Sequence, residues 1–86
     1  MREVTIRVTN KTGLHARPAS QLVTLARQYQ STVQLVKANI TANCSSIVKV
    51  LSCNVMQGDE VVLRADGPDE EQALEALAAF ISNLEE

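Results

Sequence analysis

The sequence predicts a two-layer sandwich in which helices cover one side of an open sheet, and three observations predict it. Val4, Ile6 and Val8 alternate with Thr5 and Arg7, the period-two mark of a strand with one wet face. Two longer stretches, one opening at Ala16 and one after Asp69, carry apolar residues at helical spacing. Between them, Ala38-Asn39 joins two β-rich runs too tightly for anything but an antiparallel hairpin. One wet sheet face and two amphipathic helices fit helices packed on a single side.

The elements follow in order. After the first strand, Asn10 to Gly13 reads as a turn or loop. The first helix begins at Ala16, with Ala19, Leu22, Val23 and Ala26 on its apolar face and Tyr29 closing the run. Pro18 falls in the first turn, where its missing N–H costs little because that donor has no intrahelical partner. Val33-Gln34-Leu35-Val36-Lys37 is a short second strand with imperfect alternation. Asn39 is the turn residue suited to a left-handed conformation, and Ile40-Thr41-Ala42-Asn43 returns as the third strand. Ser46 stands as N-cap of a brief helix holding Ile47, Val48, Val50 and Leu51. Its β-branched residues lower the intrinsic helix propensity. Asn54 and Gln57-Gly58-Asp59 break the chain before a fourth strand at Val61, Val62, Leu63 and Ala65, which ends at Asp66-Gly67-Pro68. Asp69 opens the last helix, with Gln72 at capping-box spacing. Leu74, Leu77, Ala78, Ile81 and Leu84 form its apolar stripe, and Glu70 and Glu71 favour its N-terminal end.

Composition sets the bounds. Eighty-six residues suffice for one domain, 1–86, with one modest core. Apolar residues make up 45%, yet only Tyr29 and Phe80 are aromatic, so aliphatic side chains must build that core. A formal charge of -2 gives no general pull toward nucleic acid or anionic membranes. Charge interrupts the apolar residues of the N-terminus, unlike a signal peptide, and no window approaches the ~18 apolar residues of a membrane span. Cys44 and Cys53 read as reduced thiols acting as small buried hydrophobes, with a disulfide or a metal pair as the alternatives. With one histidine they make a thin metal-ligand set. These features predict a cytoplasmic protein without a metal site.

The single histidine, His15, sits where the first helix starts, framed by Gly13, Arg17 and Pro18. Unpaired N–H groups at a helix start, beside the positive end of its dipole, suit an anion such as phosphate. A neutral imidazole carries a lone pair able to attack phosphorus, and the guanidinium of Arg17 can bind two phosphoryl oxygens at once. From the residues alone two readings stay open. His15 carries phosphate, or it merely caps a helix beside a solvated arginine.

Gly13-Leu14-His15-Ala16-Arg17-Pro18-Ala19 resembles the phosphorylation site of the HPr family, the histidine-containing phosphocarriers of the sugar phosphotransferase system. The similarity runs along the whole chain. Asn43-Cys44-Ser45-Ser46-Ile47-Val48-Lys49-Val50-Leu51-Ser52 is similar to the family's regulatory-serine helix, and Gln57-Gly58-Asp59 leads into the remaining elements. The resemblance implies an α+β open-faced sandwich, a four-stranded antiparallel sheet with three helices on one face. It implies a cofactor-free monomer that carries phosphate between proteins rather than turning over a substrate of its own. Enzyme I, charged by phosphoenolpyruvate, would phosphorylate His15 at Nδ1, and the group would pass to the IIA domain of a sugar permease. Arg17 would assist both transfers, with Ala16 and Arg17 holding the phosphate.

The resemblance also implies a docking face joining the two N-terminal helices. Leu14, Ala16, Ile47, Val48 and Leu51 supply its apolar positions, Ser20 lies among them, and Arg27 and Lys49 stand at its border. A small apolar patch edged by positive charge suits acidic partners and rapid exchange. By patterning alone Ile47 and Leu51 serve docking and core equally well. Ser46 matches the family's regulatory serine, phosphorylated in some lineages by a serine kinase/phosphorylase, and phosphate there would meet a helix N-terminus. By residue type it is equally a plain N-cap, worth about 1 kcal/mol. The chain departs from the family pattern at Asn39 and Asn54, where glycine is frequent, and at Ser45, where lysine accompanies serine phosphorylation. Asparagine tolerates positive φ, so both turns should be kept. Two competing functions use the same fold: a regulatory protein that binds a transcription factor or enzyme, and a nitrogen-branch phosphocarrier.

Overall fold

A computed structural model describes residues 1–11 and 13–84. It contains seven elements in the expected order: β1 (Arg2–Arg7), α1 (Ala16–Ala26), β2 (Thr32–Lys37), β3 (Ile40–Asn43), α2 (Ile47–Ser52), β4 (Glu60–Asp66) and α3 (Glu70–Ser82). Of the expected turn at 10–13, Thr12 lies outside the described residues.

The strands form one antiparallel sheet in the order β1-β4-β2-β3. Register aligns a core-facing row across it: Val4, partly buried, faces Leu63, Leu63 faces Leu35, and Leu35 faces Ala42. Alternation sends the neighbouring row, Thr5, Val62, Val36 and Thr41, to the opposite, solvated face. That face carries ion pairs between Arg64 and Glu3 at 2.7 Å and between Arg7 and Glu60 at 3.1 Å. All three helices lie on the other side. α3 covers β1 and β4, α1 packs beside α3, and α2 packs beside α1 against β3. The core between the layers is aliphatic, with Val8, Leu22, Leu35, Leu63, Leu77 and Ile81 fully buried. Tyr29 and Phe80 remain half-buried against it. The α+β open-faced sandwich is therefore the fold.

Four local expectations need correction. α1 ends at Ala26, short of Tyr29, because the N–H groups of Gln28 and Tyr29 reach three residues back, to Leu25 and Ala26. Those tighter bonds close the helix early. In the β2–β3 turn the left-handed residue is Ala38, φ 53°, rather than Asn39, whereas Asn54 does take φ 51°. Asp69 is the N-cap of α3 but its carboxylate makes no capping bond, so no capping box forms with Gln72. The carboxylate instead accepts the N–H groups of Gln30 and Ser31, each at 2.9 Å, and the Ser31 hydroxyl at 2.5 Å. It staples the end of the α1–β2 loop to the start of α3. Leu84 lies past the end of α3 yet still packs on the core. Both cysteines are free and buried. Burial, helped by nearby Cys53, pushes the Cys44 thiol up to about 12. Burial also raises Cys53.

Candidate functional site

His15 is exposed at the N-cap of α1, with extended backbone (φ −90°, ψ −164°) and no capping bond from its side chain. Its carbonyl accepts the Ala19 N–H at 2.9 Å, closing the first turn. Since position 18 is proline, that turn presents the amides of Ala16 and Arg17, which have no intrahelical partner. No acidic residue lies in the turn to compete for them. The positive end of α1 thus stands beside the exposed imidazole and the exposed Arg17.

The loop that presents His15 is pinned from below. Gly13 adopts φ 62°, and a Cβ there would strike the Val55 carbonyl oxygen and come within 2.8 Å of the Met56 Cα. Only glycine lets the two backbones approach this closely. The Leu14 N–H donates to the Val55 carbonyl at 3.0 Å. The amide of buried Asn10 donates from Nδ2 to the Gly13 carbonyl at 2.9 Å. The segment beneath is itself tethered. Gly58 donates to the Val8 carbonyl at 2.7 Å, Gln57 Nε2 to the Thr9 carbonyl at 3.1 Å, and Met56 N–H to the Asp59 carboxylate at 2.8 Å. Lys37 Nζ bridges that carboxylate (2.9 Å) and the Asn54 carbonyl (2.7 Å). The Lys37 ammonium and then the Met56 N–H hold the Asp59 carboxyl below its ordinary value.

α2 supplies a second surface beside α1. Ser46 caps it as expected, its hydroxyl accepting the Lys49 N–H at 3.3 Å. Val50 is the residue α2 buries, while Val48 is 75% exposed and Ile47 and Leu51 are 39% and 38% exposed. Ala16, Ser20 and Lys49 are also exposed. Two expected docking residues behave differently. Leu14 is only 2% exposed, because the Val55 bond draws it into the core, so its side chain offers a partner nothing. Arg27 is exposed, but its Nε and Nη2 both donate to the Ser45 carbonyl, at 3.2 and 2.7 Å. It straps the end of α1 to the loop before α2.

Two features of this surface are absent from the sequence-based expectations. Met56, beside Gly13, is 57% exposed. No periodicity marks it, since it lies in a loop between elements. The other feature is legible in the sequence: residues 4–58 carry six of the eight basic residues and none of the ten acidic ones. The overall charge of -2 conceals a basic region that contains the site loop, α1 and α2. Among the described residues no cluster of three His, Cys, Asp or Glu could hold a metal, and no helix is long and apolar enough to cross a membrane.

Comparison with known proteins accords with this geometry. The family model described as PTS HPr component phosphorylation site matches residues 2–83. The phosphocarrier protein HPr of Treponema pallidum is 39% identical over 79 residues, covering 92% of this chain and 90% of the relative. The HPr-like protein Crh of Bacillus subtilis is 45% identical over 76 residues, 88% of this chain and 89% of the relative. A crystal structure of HPr from Thermoanaerobacter tengcongensis superposes with a TM-score of 0.91 at 46% identity, over 95% of this chain and 92% of that one.

Proposed function

The chain belongs to the HPr family, the phosphocarriers of the phosphotransferase system, and from that premise we propose that His15 accepts a phosphoryl group from phospho-Enzyme I and passes it to the IIA domain of a sugar permease. The observation that carries this reading is an exposed imidazole at the amide-rich start of α1, on a loop pinned from below. In the first transfer the Nδ1 lone pair bonds to phosphorus as the bond from phosphorus to the donor breaks, its electron pair leaving with the donor. In the second, Nδ1 keeps the pair of the breaking P–N bond while the acceptor attacks. Between them the Ala16 and Arg17 amides and the Arg17 guanidinium hold the phosphoryl oxygens. One arginine and a solvated helix end bind phosphate without trapping it, as a carrier requires.

Partners dock over Ala16, Ser20, Ile47, Val48 and Leu51, with Lys49 and Arg27 at the border and Met56 as an added contact. The acid-free stretch 4–58 supports acidic partner surfaces. The protein works as a cytoplasmic monomer of one domain. Ser46 is the regulatory position we propose: phosphate there would place charge at the edge of this face. A Ser46→Asp variant should accept phosphate from Enzyme I more slowly, and a normal rate would remove the assignment.

A second reading, a regulatory protein binding a transcription factor or enzyme, draws on the 45% identity to the HPr-like protein Crh. The presence of His15 and Arg17 favours transfer. Incubation with labelled phosphoenolpyruvate and the Enzyme I of the sugar or the nitrogen branch separates the readings. Acid-labile label that vanishes in His15→Ala, and slows in Arg17→Ala with the fold intact, is expected with the sugar-branch enzyme. No label from either enzyme would overturn the carrier function.

A further inference from the structure

We infer that Asn10 is a positioning residue for phosphoryl transfer at His15, an inference that rests on the carrier reading above. Asn10 follows the end of β1 and is only 6% exposed. Burying a primary amide is costly unless its groups are bonded. Its Nδ2 donates to the Gly13 carbonyl at 2.9 Å, two residues before His15. The Gly13 N–H closes the same turn from the other side, donating to the Asn10 carbonyl at 3.3 Å. No described residue donates to Asn10 Oδ1, so among the described residues the contact with Gly13 is the side chain's hydrogen bond.

The consequence lies in what Gly13 and Leu14 do next. The peptide unit joining them is held at both ends, its carbonyl by Asn10 and its N–H by Val55, 3.0 Å away. One end fixes the loop to the β1 side and the other to the segment before β4. His15 follows directly, so this doubly held peptide sets where the imidazole stands relative to the Ala16 and Arg17 amides. Without the Nδ2 donor the peptide plane can tilt about its remaining bond, and the imidazole swings with it. Asn10 is buried and bonds to Gly13 rather than standing on the exposed docking face. Its removal should slow the chemical step and leave partner binding intact.

Rapid-quench phosphorylation by phospho-Enzyme I, with rates scaled to the folded fraction measured by circular dichroism, tests this. In Asn10→Ala, and in the near-isosteric Asn10→Asp, the maximal rate should fall about tenfold or more, the scale expected of small misplacements of a reacting group. The KM for Enzyme I should stay within about twofold. Val48→Ala should show the opposite split, a raised KM with the maximal rate retained. An unchanged maximal rate per folded molecule, or a rise in KM alone, would overturn the role of Asn10. Should neither variant fold, wild-type protein decides: the Asn10 side-chain amide protons must resist hydrogen exchange before and after phosphorylation, and rapid exchange in either state refutes the clamp. If wild-type protein takes no phosphate at all, the carrier reading falls. If it does while Asn10→Ala keeps pace, only the positioning role falls.

Discussion

Replacing Gly13 by alanine tests the pinned loop directly. A non-glycine residue in the left-handed region costs about 1–2 kcal/mol. The added Cβ also meets Val55 and Met56 backbone, which cannot rotate aside as a side chain could. The loop must therefore lift. Lifting breaks the Leu14–Val55 hydrogen bond, about 1 kcal/mol net, and withdraws part of Leu14, whose full burial is worth about 1.5–3 kcal/mol. The total is about 3–5 kcal/mol, a large share of the 5–15 kcal/mol that typically holds a small domain folded. Gly58 provides the control. Its φ is 90°, yet a Cβ there has no neighbour within 4 Å, so Gly58→Ala pays only the backbone cost of about 1–2 kcal/mol. Urea unfolding of both variants, read as midpoint shifts at constant slope, separates close approach from backbone strain. Losses within about 1 kcal/mol of each other would refute the claim that the site loop rests on residues 55 and 56.

Further outcomes follow from the departures noted in the fold. Ala38→Gly should stabilise by about 0.5–1 kcal/mol, since relief at φ 53° exceeds the entropy glycine adds to the unfolded chain; a destabilised variant in urea melts would sink this. Native protein should resist thiol reagents at neutral pH, because Cys44 and Cys53 are 0% and 1% exposed and both thiols are shifted upward; rapid labelling without denaturant would contradict the burial. Bonds from the Ser31 hydroxyl, the Gln30 N–H and the Ser31 N–H hold the Asp69 carboxyl below its ordinary value. A depressed carboxyl stabilises above its unfolded pKa, about 3.9, and that stability is lost as pH falls through the lower folded value. Asp69→Asn should therefore flatten the acid limb of the stability curve between neutral pH and pH 3. Asp59 and Glu70, depressed likewise, keep some slope. An acid limb identical to wild type would reject the staple.

Much of the molecule is legible in its sequence where a local rule acts alone. The third strand, the Ser46 cap and the buried stripes of α1 and α3 follow from spacing and capping chemistry. Where two segments compete for one group, sequence reasoning fails. Asp69 has the right neighbours for a capping box, but Gln30 and Ser31, far away in the chain, offer its carboxylate three donors. Asn39 suits a left-handed turn better than Ala38, yet strand register decides which turn residue bends. Leu14, next to the exposed His15, looks like a surface contact until Val55 draws it inward. At the candidate site, the histidine, the arginine and the short helix α2 are visible in the sequence. Their support is not, because it comes from the buried Asn10 and from residues 54–59.

That support has a temporal side. The histidine motif leaves the ribosome early, while Val55, Met56 and β4, the partner of β1, are still unmade. At roughly 5–20 residues per second, the motif spends seconds as an unformed sequence. Even a completed chain must close a long loop before β1 and β4 can pair. The surface that shapes the motif therefore exists only when synthesis is nearly finished. A fragment ending before Asn54 keeps every letter of the histidine motif and lacks the surface that shapes it.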